Sequence, residues 1–215
     1  MASHIVRARR LARAGLASAR RSGKIGGMSE PFFFGYGSLV NRRTHAYGDA
    51  HAARVTGWRR VWRHTHLRDT AFLSVEPAPG SEIDGLIAAV PAGDWRALDA
   101  REAGYDRLPL TDGLAHAATR PVAAHIYAVS AQHTGDTGLR CPILLSYLDV
   151  VVQGFVAEFG EAGAERFFDT TRGWEAPVLD DRARPRYPRA QVLTARERGL
   201  VDAALADLGV RLLTR

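Results

Sequence analysis

The hydrophobic positions of this chain follow two rhythms. Through the first half they come as short, dense runs, and in the second they recur every three or four residues. The earliest run, Phe32, Phe33 and Phe34, leads straight into Gly35, Tyr36, Gly37, Ser38 and Leu39. Residues 32–36 therefore read as a buried strand closed by a turn. Residues 41–45 are polar loop. Residues 53–63 alternate Val55, Gly57 and Val61 with Trp58 and Trp62, which predicts a long, bent strand with a bulge at Gly57. Residues 72–76 form a strand stopped by Pro77 and Pro79, and residues 83–90 another, ended by Pro91. Asp94 then suits a helix N-cap, with Trp95, Leu98 and Glu102 at helical spacing and Gly104 marking the end. Residues 108–110 and 123–129 read as closing strands, and the glycine-, threonine- and aspartate-rich stretch 132–140 as a loop.

The second rhythm begins after Pro142. Residues 143–159 predict a long helix whose apolar stripe is Leu144, Leu148, Val151, Val152 and Phe155. Residues 167–189 are polar and proline-punctuated, and read as a long ordered loop or lid. Arg182, Arg184, Arg186 and Arg189 in that stretch suit an anionic substrate, although proline-flanked arginines are more often simply solvated. Thr194 and Glu197 match a capping box, opening a final helix that runs through Leu208 and stops at Gly209.

Composition then bounds the class. The chain has 215 residues, 46% of them hydrophobic, which suits one well-buried globular domain over 28–215. No apolar run approaches the length of a membrane span, so no membrane association is expected. Cys141 is the single cysteine, so no internal disulfide is possible. A buried structural thiol in a reducing, cytoplasmic setting is the expectation for it.

Charge changes the picture in one place only. The formal net charge is +6, but residues 1–27 carry Arg7, Arg9, Arg10, Arg13, Arg20, Arg21 and Lys24 and no acid. Setting those aside leaves 22 basic residues against 23 acidic ones, so the body offers no basic face for nucleic acid. The leader has the composition of a transit peptide or basic arm, and Met28 stands just before the first strand. We read it as a mis-assigned start or a disordered extension. One lysine against 28 arginines suggests a GC-rich, bacterial genome.

Two stretches carry candidate chemistry. The loop Gly35–Leu39 is either a plain turn or a cradle whose backbone N–H groups hold an anion or a polarised carbonyl oxygen. Glu102 shares a helical face with Trp95 and Leu98, which is anomalous for a carboxylate unless it is paired or working. Other constellations are weaker. His64 and His66, with His45 and His51 nearby, lack a completing ligand at a recognised spacing, so no metal is expected. Ser38 lies in no nucleophile elbow, since Leu39 and Val40 follow it, and no phosphate-loop lysine follows the glycines.

Taken together, the loop through Tyr36, Gly37 and Ser38 and the segment Leu98, Asp99, Glu102 resemble the γ-glutamylcyclotransferase-like family, including its glutathione-specific, ChaC-like branch. Residues 55–60 and 85–90 are similar to the family's second strand and to the strand before its helix. The resemblance covers roughly residues 32–154. It implies a mixed α/β (α+β) fold, with a small, mostly antiparallel, barrel-like sheet flanked by helices. It implies Glu102 as catalytic proton shuttle, with Tyr36, Gly37, Ser38, Leu39 and Tyr147 around a small-molecule γ-glutamyl substrate. Tyr147 is equally readable as a core aromatic. The implied reaction closes 5-oxoproline and expels an amine without a cofactor; glutathione, γ-glutamyl amino acids and γ-glutamylamines all remain open as donors. The alternative is a catalytically silent binding module of the same fold, or a related acyl transfer. Nothing in the sequence specifies an oligomeric state.

Overall fold

The computed structural model describes residues 30–134 and 141–214. The expected leader over 1–27 and most of the loop expected over 132–140 lie outside the described residues. In chain order the strands are β1 (Phe32–Gly35), β2 (His51–Arg63), β3 (Phe72–Ala89), β4 (Tyr105–Leu110), β5 (Leu114–His116), β6 (Ala124–Val129), β7 (Ile143–Leu144), β8 (Thr171–Arg172), β9 (Val178–Asp180) and β10 (Leu212–Thr214). The helices are α1 (Arg96–Arg101), α2 (Leu145–Asp169) and α3 (Ala195–Asp207).

Among the described residues, the main sheet runs β4-β6-β1-β3-β2-β5, with β8 also pairing β2. Most neighbours are antiparallel; β1–β6 and β2–β8 are parallel. The sheet curls into a half-barrel with few helices around it, the mixed α+β architecture that the family resemblance implied. A small parallel sheet, β10-β9-β7, lies beside it.

β1 is central, and its three phenylalanines explain why. Strand alternation sends Phe32 and Phe34 into the main core with Leu148, Val152 and Phe155 of α2. Phe33 faces the other way, into a smaller cluster with Leu39, Val90 and Leu98. Both faces of β1 are thus buried, which is what a continuous apolar run encodes. Leu98, fully buried, is the anchor that seats α1 on the back of the sheet.

Several expectations need correction. Residues 72–76 and 83–90 are one strand, β3, and its prolines do not end it. Instead β2 and β3 pair from Arg63↔Phe72 to Trp58↔Pro77, then from Thr56↔Glu82 to His51↔Ile87. Between those blocks sits an irregularity at Gly57, where the bulge was expected, opposite residues 78–81. Pro77 and Pro79 are exposed and lie where β1 does not reach, so no ladder partner is lost on that side. The short strand β5 was not anticipated. The segment 41–45 is an ordered 3₁₀ turn (Arg42–Thr44) with Asn41 and Thr44 buried. α1 starts later than expected, at Arg96, although Asp94 Oδ1 still accepts from the Arg96 N–H at 3.1 Å. Glu102 is consequently its C-cap residue. α2 begins after β7 and continues to Asp169 across a break at Gly160. The stretch 167–189 accordingly holds a helix end, β8 and β9, and only its last part is a loop. The capping box at Thr194 and Glu197 is present as expected.

One buried cation was not legible. Arg60, 1% exposed, lies in the core with its guanidinium carbon 5.1 Å from the Phe155 ring centroid and 5.0 Å from that of Phe167. It donates to the Asp84 carbonyl at 2.9 Å and to the hydroxyls of Thr170 and Thr171. Burial pushes it down to about 9, still protonated at neutral pH.

α2 meets the loop after β1 through Gly154. A Cβ there would stand 2.7 Å from the Asn41 nitrogen and 2.8 Å from its Cα. Asn41 Nδ2 in turn donates to the Val150 carbonyl at 2.9 Å and to Gln153 Oε1 at 3.0 Å. Gly154→Ala must push helix and loop apart, and we expect it to cost about 1–3 kcal/mol of stability. Gly199→Ala, on exposed α3 with nothing within 4 Å, should instead gain about 0.5–1 kcal/mol. Urea unfolding midpoints of the two variants, moving in opposite directions, check the contact.

Candidate active site

Two adjoining cavities open where the loop after β1, the end of α1 and the start of α2 meet. The inner recess, about 30 Å³, is lined by Gly35–Leu39 with Tyr127 behind. The outer chamber, about 160 Å³, is lined by Arg68, Thr70, Phe72, Arg101, Tyr187 and Arg189 among others. Ser38, Leu73, Glu102, Tyr105 and Tyr147 belong to both, so they form the shared wall.

Glu102 reaches that wall because α1 ends there. Its N–H donates to the Leu98 carbonyl at 2.9 Å, and its own carbonyl accepts from Tyr105 N–H at 3.0 Å as the chain turns into β4. The side chain is 17% exposed and its Oε1 lies 3.1 Å from Arg101 Nε. Burial pushes the carboxyl up, over the opposing pull of Arg101 and Arg189. It is thus moved towards the range where a general base works near neutrality.

Arg101 is one of the members of this site that the sequence did not single out. Its side chain is 9% exposed, and it donates to the Thr44 carbonyl at 2.9 Å and to Ser38 Oγ and Thr44 Oγ1 at 3.2 Å each. The turn after β1 is therefore clamped to the end of α1. Within that turn Val40 N–H donates to the Gly37 carbonyl at 2.9 Å and Thr44 Oγ1 to the Ser38 carbonyl at 2.9 Å.

The phenols divide the remaining work. Tyr36 donates to the Tyr127 carbonyl at 2.6 Å, and Tyr105 to the Leu73 carbonyl at 2.9 Å. Burial, first, and neighbouring acids hold Tyr36, Tyr105 and Tyr147 well above the ordinary phenol value. They stay neutral donors. Tyr147 stands on the first turn of α2, edge-on to Tyr187 at 5.0 Å and Trp62 at 6.0 Å.

All six residues expected at the site line these cavities, although Tyr36 spends its hydroxyl on the protein. Of the four arginines that could meet an anion but are more often only solvated, Arg189 lines the outer chamber and Arg184 is exposed. Arg182 is paired with Asp149 at 2.7 Å and Asp202 at 2.6 Å, and Arg186 with Asp69 at 2.9 Å. Tyr105, Tyr187, Arg68 and Arg101 were missed; for Arg101 the only signal was its place beside Glu102. The histidines are dispersed: His45 contacts the Leu39 carbonyl, His51 pairs with Asp49, and His64 accepts from Cys141 N–H. Among the described residues no three His, Cys, Asp or Glu side chains gather as a metal site, and no helix is long and apolar enough to cross a membrane.

The architecture at these cavities is a curled, mostly antiparallel half-barrel with one partly buried carboxylate beside the loop after β1. Residues 33–146 match the family "Gamma-glutamyl cyclotransferase, AIG2-like", and the chain belongs to that family. Among solved structures, an uncharacterized protein, loc79017, from Homo sapiens superposes with a TM-score of 0.52 at 13% identity, covering 80% of this chain and 98% of that one. A gamma-glutamyl cyclotransferase superposes with a TM-score of 0.51 at 12% identity, covering 81% and 99% respectively. At such identities the likeness is one of fold. No curated protein matches the chain.

Gly37 brings the loop up against α2: a Cβ there would stand 2.7 Å from the Tyr147 hydroxyl and 3.2 Å from Leu73 Cδ2. Gly37→Ala should therefore destabilise the protein and perturb the loop, and Tyr147→Phe in the same chain should recover part of the loss. A double-mutant cycle on unfolding free energies is expected to give a favourable coupling of about 0.5–3 kcal/mol. Strict additivity would mean that the loop and the phenol do not touch.

Proposed function

We propose that this protein is an active γ-glutamylcyclotransferase, converting a γ-glutamyl donor to 5-oxoproline and a free amine or amino acid. The observation that carries the reading is the shared wall: a mostly buried carboxylate, the turn Gly37–Leu39 and neutral phenols line one cavity system.

The donor is its own nucleophile. Its α-amino nitrogen attacks its own γ-carbonyl carbon, forming the ring C–N bond while the carbonyl electrons move to oxygen. Tethering of this kind is worth about 7–11 kcal/mol of barrier when the geometry is right. Glu102 removes the ammonium proton so that the nitrogen lone pair is free. N–H groups of Gly37, Ser38 or Leu39 hold the oxyanion. The Tyr147 hydroxyl stands against the same turn, 2.7 Å from where a Cβ on Gly37 would lie, which makes Tyr147 a positioning residue for the substrate oxygen. The ring nitrogen then still carries a surplus proton. When the oxyanion collapses and the original C–N bond breaks, Glu102 gives the proton it holds to the leaving nitrogen. It then takes the surplus proton from the ring nitrogen and passes it to the released amine, which departs as the ammonium beside a neutral lactam. Atoms and charge balance without water, metal or cofactor.

The Glu102→Gln variant tests the assignment. It keeps size but cannot accept the proton, and 5-oxoproline release should fall about a hundred- to ten-thousand-fold. Because the carboxylate is the working form, wild-type rate should fall as pH drops through the Glu102 pKa. Since burial raises that pKa, the acid limb should lie at higher pH than for an ordinary glutamate of 4.5. The sign for folding is opposite to that of a stabilising ion pair. A raised carboxyl pKa costs stability as pH climbs through and above the unfolded value, so the variant should fold at least as well at pH 7. Near-wild-type turnover in the variant would sink the mechanism; circular dichroism controls for folding.

A further inference from the structure

The outer chamber carries three guanidiniums facing one carboxylate. Arg101 is committed to Glu102, Ser38 and Thr44. Arg68 and Arg189 also line the chamber; Arg189 acts on the Glu102 charge from a distance, but among the described residues neither forms an ion pair with a carboxylate. Arg68 rests its guanidinium 5.5 Å from the Phe72 ring centroid, which leaves its N–H edge available. The two residues belong to different segments that are tied together next to them. Arg186 Nη2 holds Asp69 Oδ1 at 2.9 Å and Oδ2 at 3.0 Å, one position from Arg68 and three from Arg189. Two cations with no ion pair among the described residues therefore stand at the wall of one chamber.

Which end of a donor meets them follows from the two volumes. Gly37, Ser38 and Leu39, whose N–H groups the proposed reaction uses, line the inner recess of about 30 Å³, which has room for little more than the reacting carbonyl. Glu102, on the shared wall, must reach the amine and the scissile nitrogen. The leaving group is then left with the outer chamber of about 160 Å³, where Arg68 and Arg189 stand.

We infer that Arg68 and Arg189 form a carboxylate subsite for the leaving group, so that this protein takes γ-glutamyl amino acids or peptides in preference to γ-glutamylamines. The inference rests on the cyclotransferase reading above and goes further by naming the donor class. Guanidinium–carboxylate pairing is charge-assisted and directional, whereas a leaving amine without the carboxylate leaves both cations unpaired in the occupied chamber. Arg68 lies within the stretch that matches the family, residues 33–146, and Arg189 beyond it, so the subsite joins that stretch to the chain's C-terminal segment.

The experiment compares γ-glutamylalanine with γ-glutamylethylamine, which differ only in the carboxylate. With the full chain, kcat/KM from 5-oxoproline release should favour γ-glutamylalanine by roughly ten- to a hundredfold, the range of a hydrogen bond to a charged group, and mostly through KM. In the single variants Arg68→Gln and Arg189→Gln the ratio should fall, and in the double variant it should approach one. Taking the ratio removes any change that Arg189→Gln makes in the acidity of Glu102, because that change acts on both donors alike. Arg189→Lys should retain part of the preference. A ratio near one in the wild type, or an unchanged ratio in the folded variants, would overturn the subsite. If neither donor yields product, the same two ligands are titrated calorimetrically against the wild type and the variants. A binding preference that the variants erase then upholds the subsite while the cyclotransferase reading falls, and equal affinities overturn the subsite itself.

Discussion

Everything at the site depends on the Arg101 guanidinium. It joins two segments that the sheet alone would leave independent: the turn after β1, through Ser38 and Thr44, and the end of α1, through Glu102. A backbone carbonyl, two hydroxyls and a carboxylate share one planar donor, a fixed fork that lysine cannot reproduce. Its own position is set by packing, since α1 is seated by Leu98 against Phe33 on the back of the sheet. The hydrophobic contact comes first and the polar clamp follows from it. The clamp also explains why Glu102 tolerates burial. Its charge is partly met, but not enough to cancel desolvation, so the carboxyl remains raised.

The opposite wall is built by α2, and there close approach replaces charge. Gly154 lets the helix touch the backbone of Asn41, and Gly37 lets the loop touch the Tyr147 hydroxyl. Asn41 couples the two contacts by binding α2 with its side chain while its N–H closes the turn on the Ser38 carbonyl at 3.2 Å. Deeper in the core, Arg60 between Phe155 and Phe167 ties α2 to β2 and to the Asp84 backbone. A buried cation of this kind is weak evidence for stability, because its desolvation offsets much of what its hydrogen bonds return. Its geometric effect is firmer: it fixes how the helix lies on the sheet.

Much of this was legible in the sequence, for reasons that differ by element. β1 showed as an aromatic run because both of its faces are buried, and α3 showed through its capping box because that signal is local. The prolines of β3 misled because a proline reports the missing N–H but not whether a neighbour needed it. At Pro77 and Pro79 β1 is absent. The helix α2 ran past its expected end because Gly160 interrupts it without stopping the packing of Phe167 and Phe168 beyond. At the site, the glycine loop and Glu102 carried patterns of their own. Arg68 and Tyr187 did not, since they come from irregular segments brought together only by tertiary structure, and Arg189 stood out only as one of four proline-flanked arginines. Arg60 was unreadable for a related reason: next to Arg59, which pairs with Glu76 at 2.5 Å, it looked like half of a surface pair.

The proposed reaction also gives physical meaning to a carboxylate set among arginines. Its first step moves a proton from a donor ammonium to Glu102, which annihilates a positive and a negative charge together. A partly desolvated cavity favours that outcome from both ends, since burial raises a carboxyl pKa and lowers that of an amine. The arginines act unequally on the two partners. They hold Glu102 down, against burial, but the same positive potential makes the ammonium more acidic. Because they disfavour the charged donor as well as the neutral acid, their net effect on the transfer is smaller than their effect on either group alone. What they change without such cancellation is the binding of anions. On this reading the acid–base chemistry is set by burial at the shared wall, and the choice of donor by the charge of the outer chamber. Substitutions in the two places should therefore act on different kinetic constants.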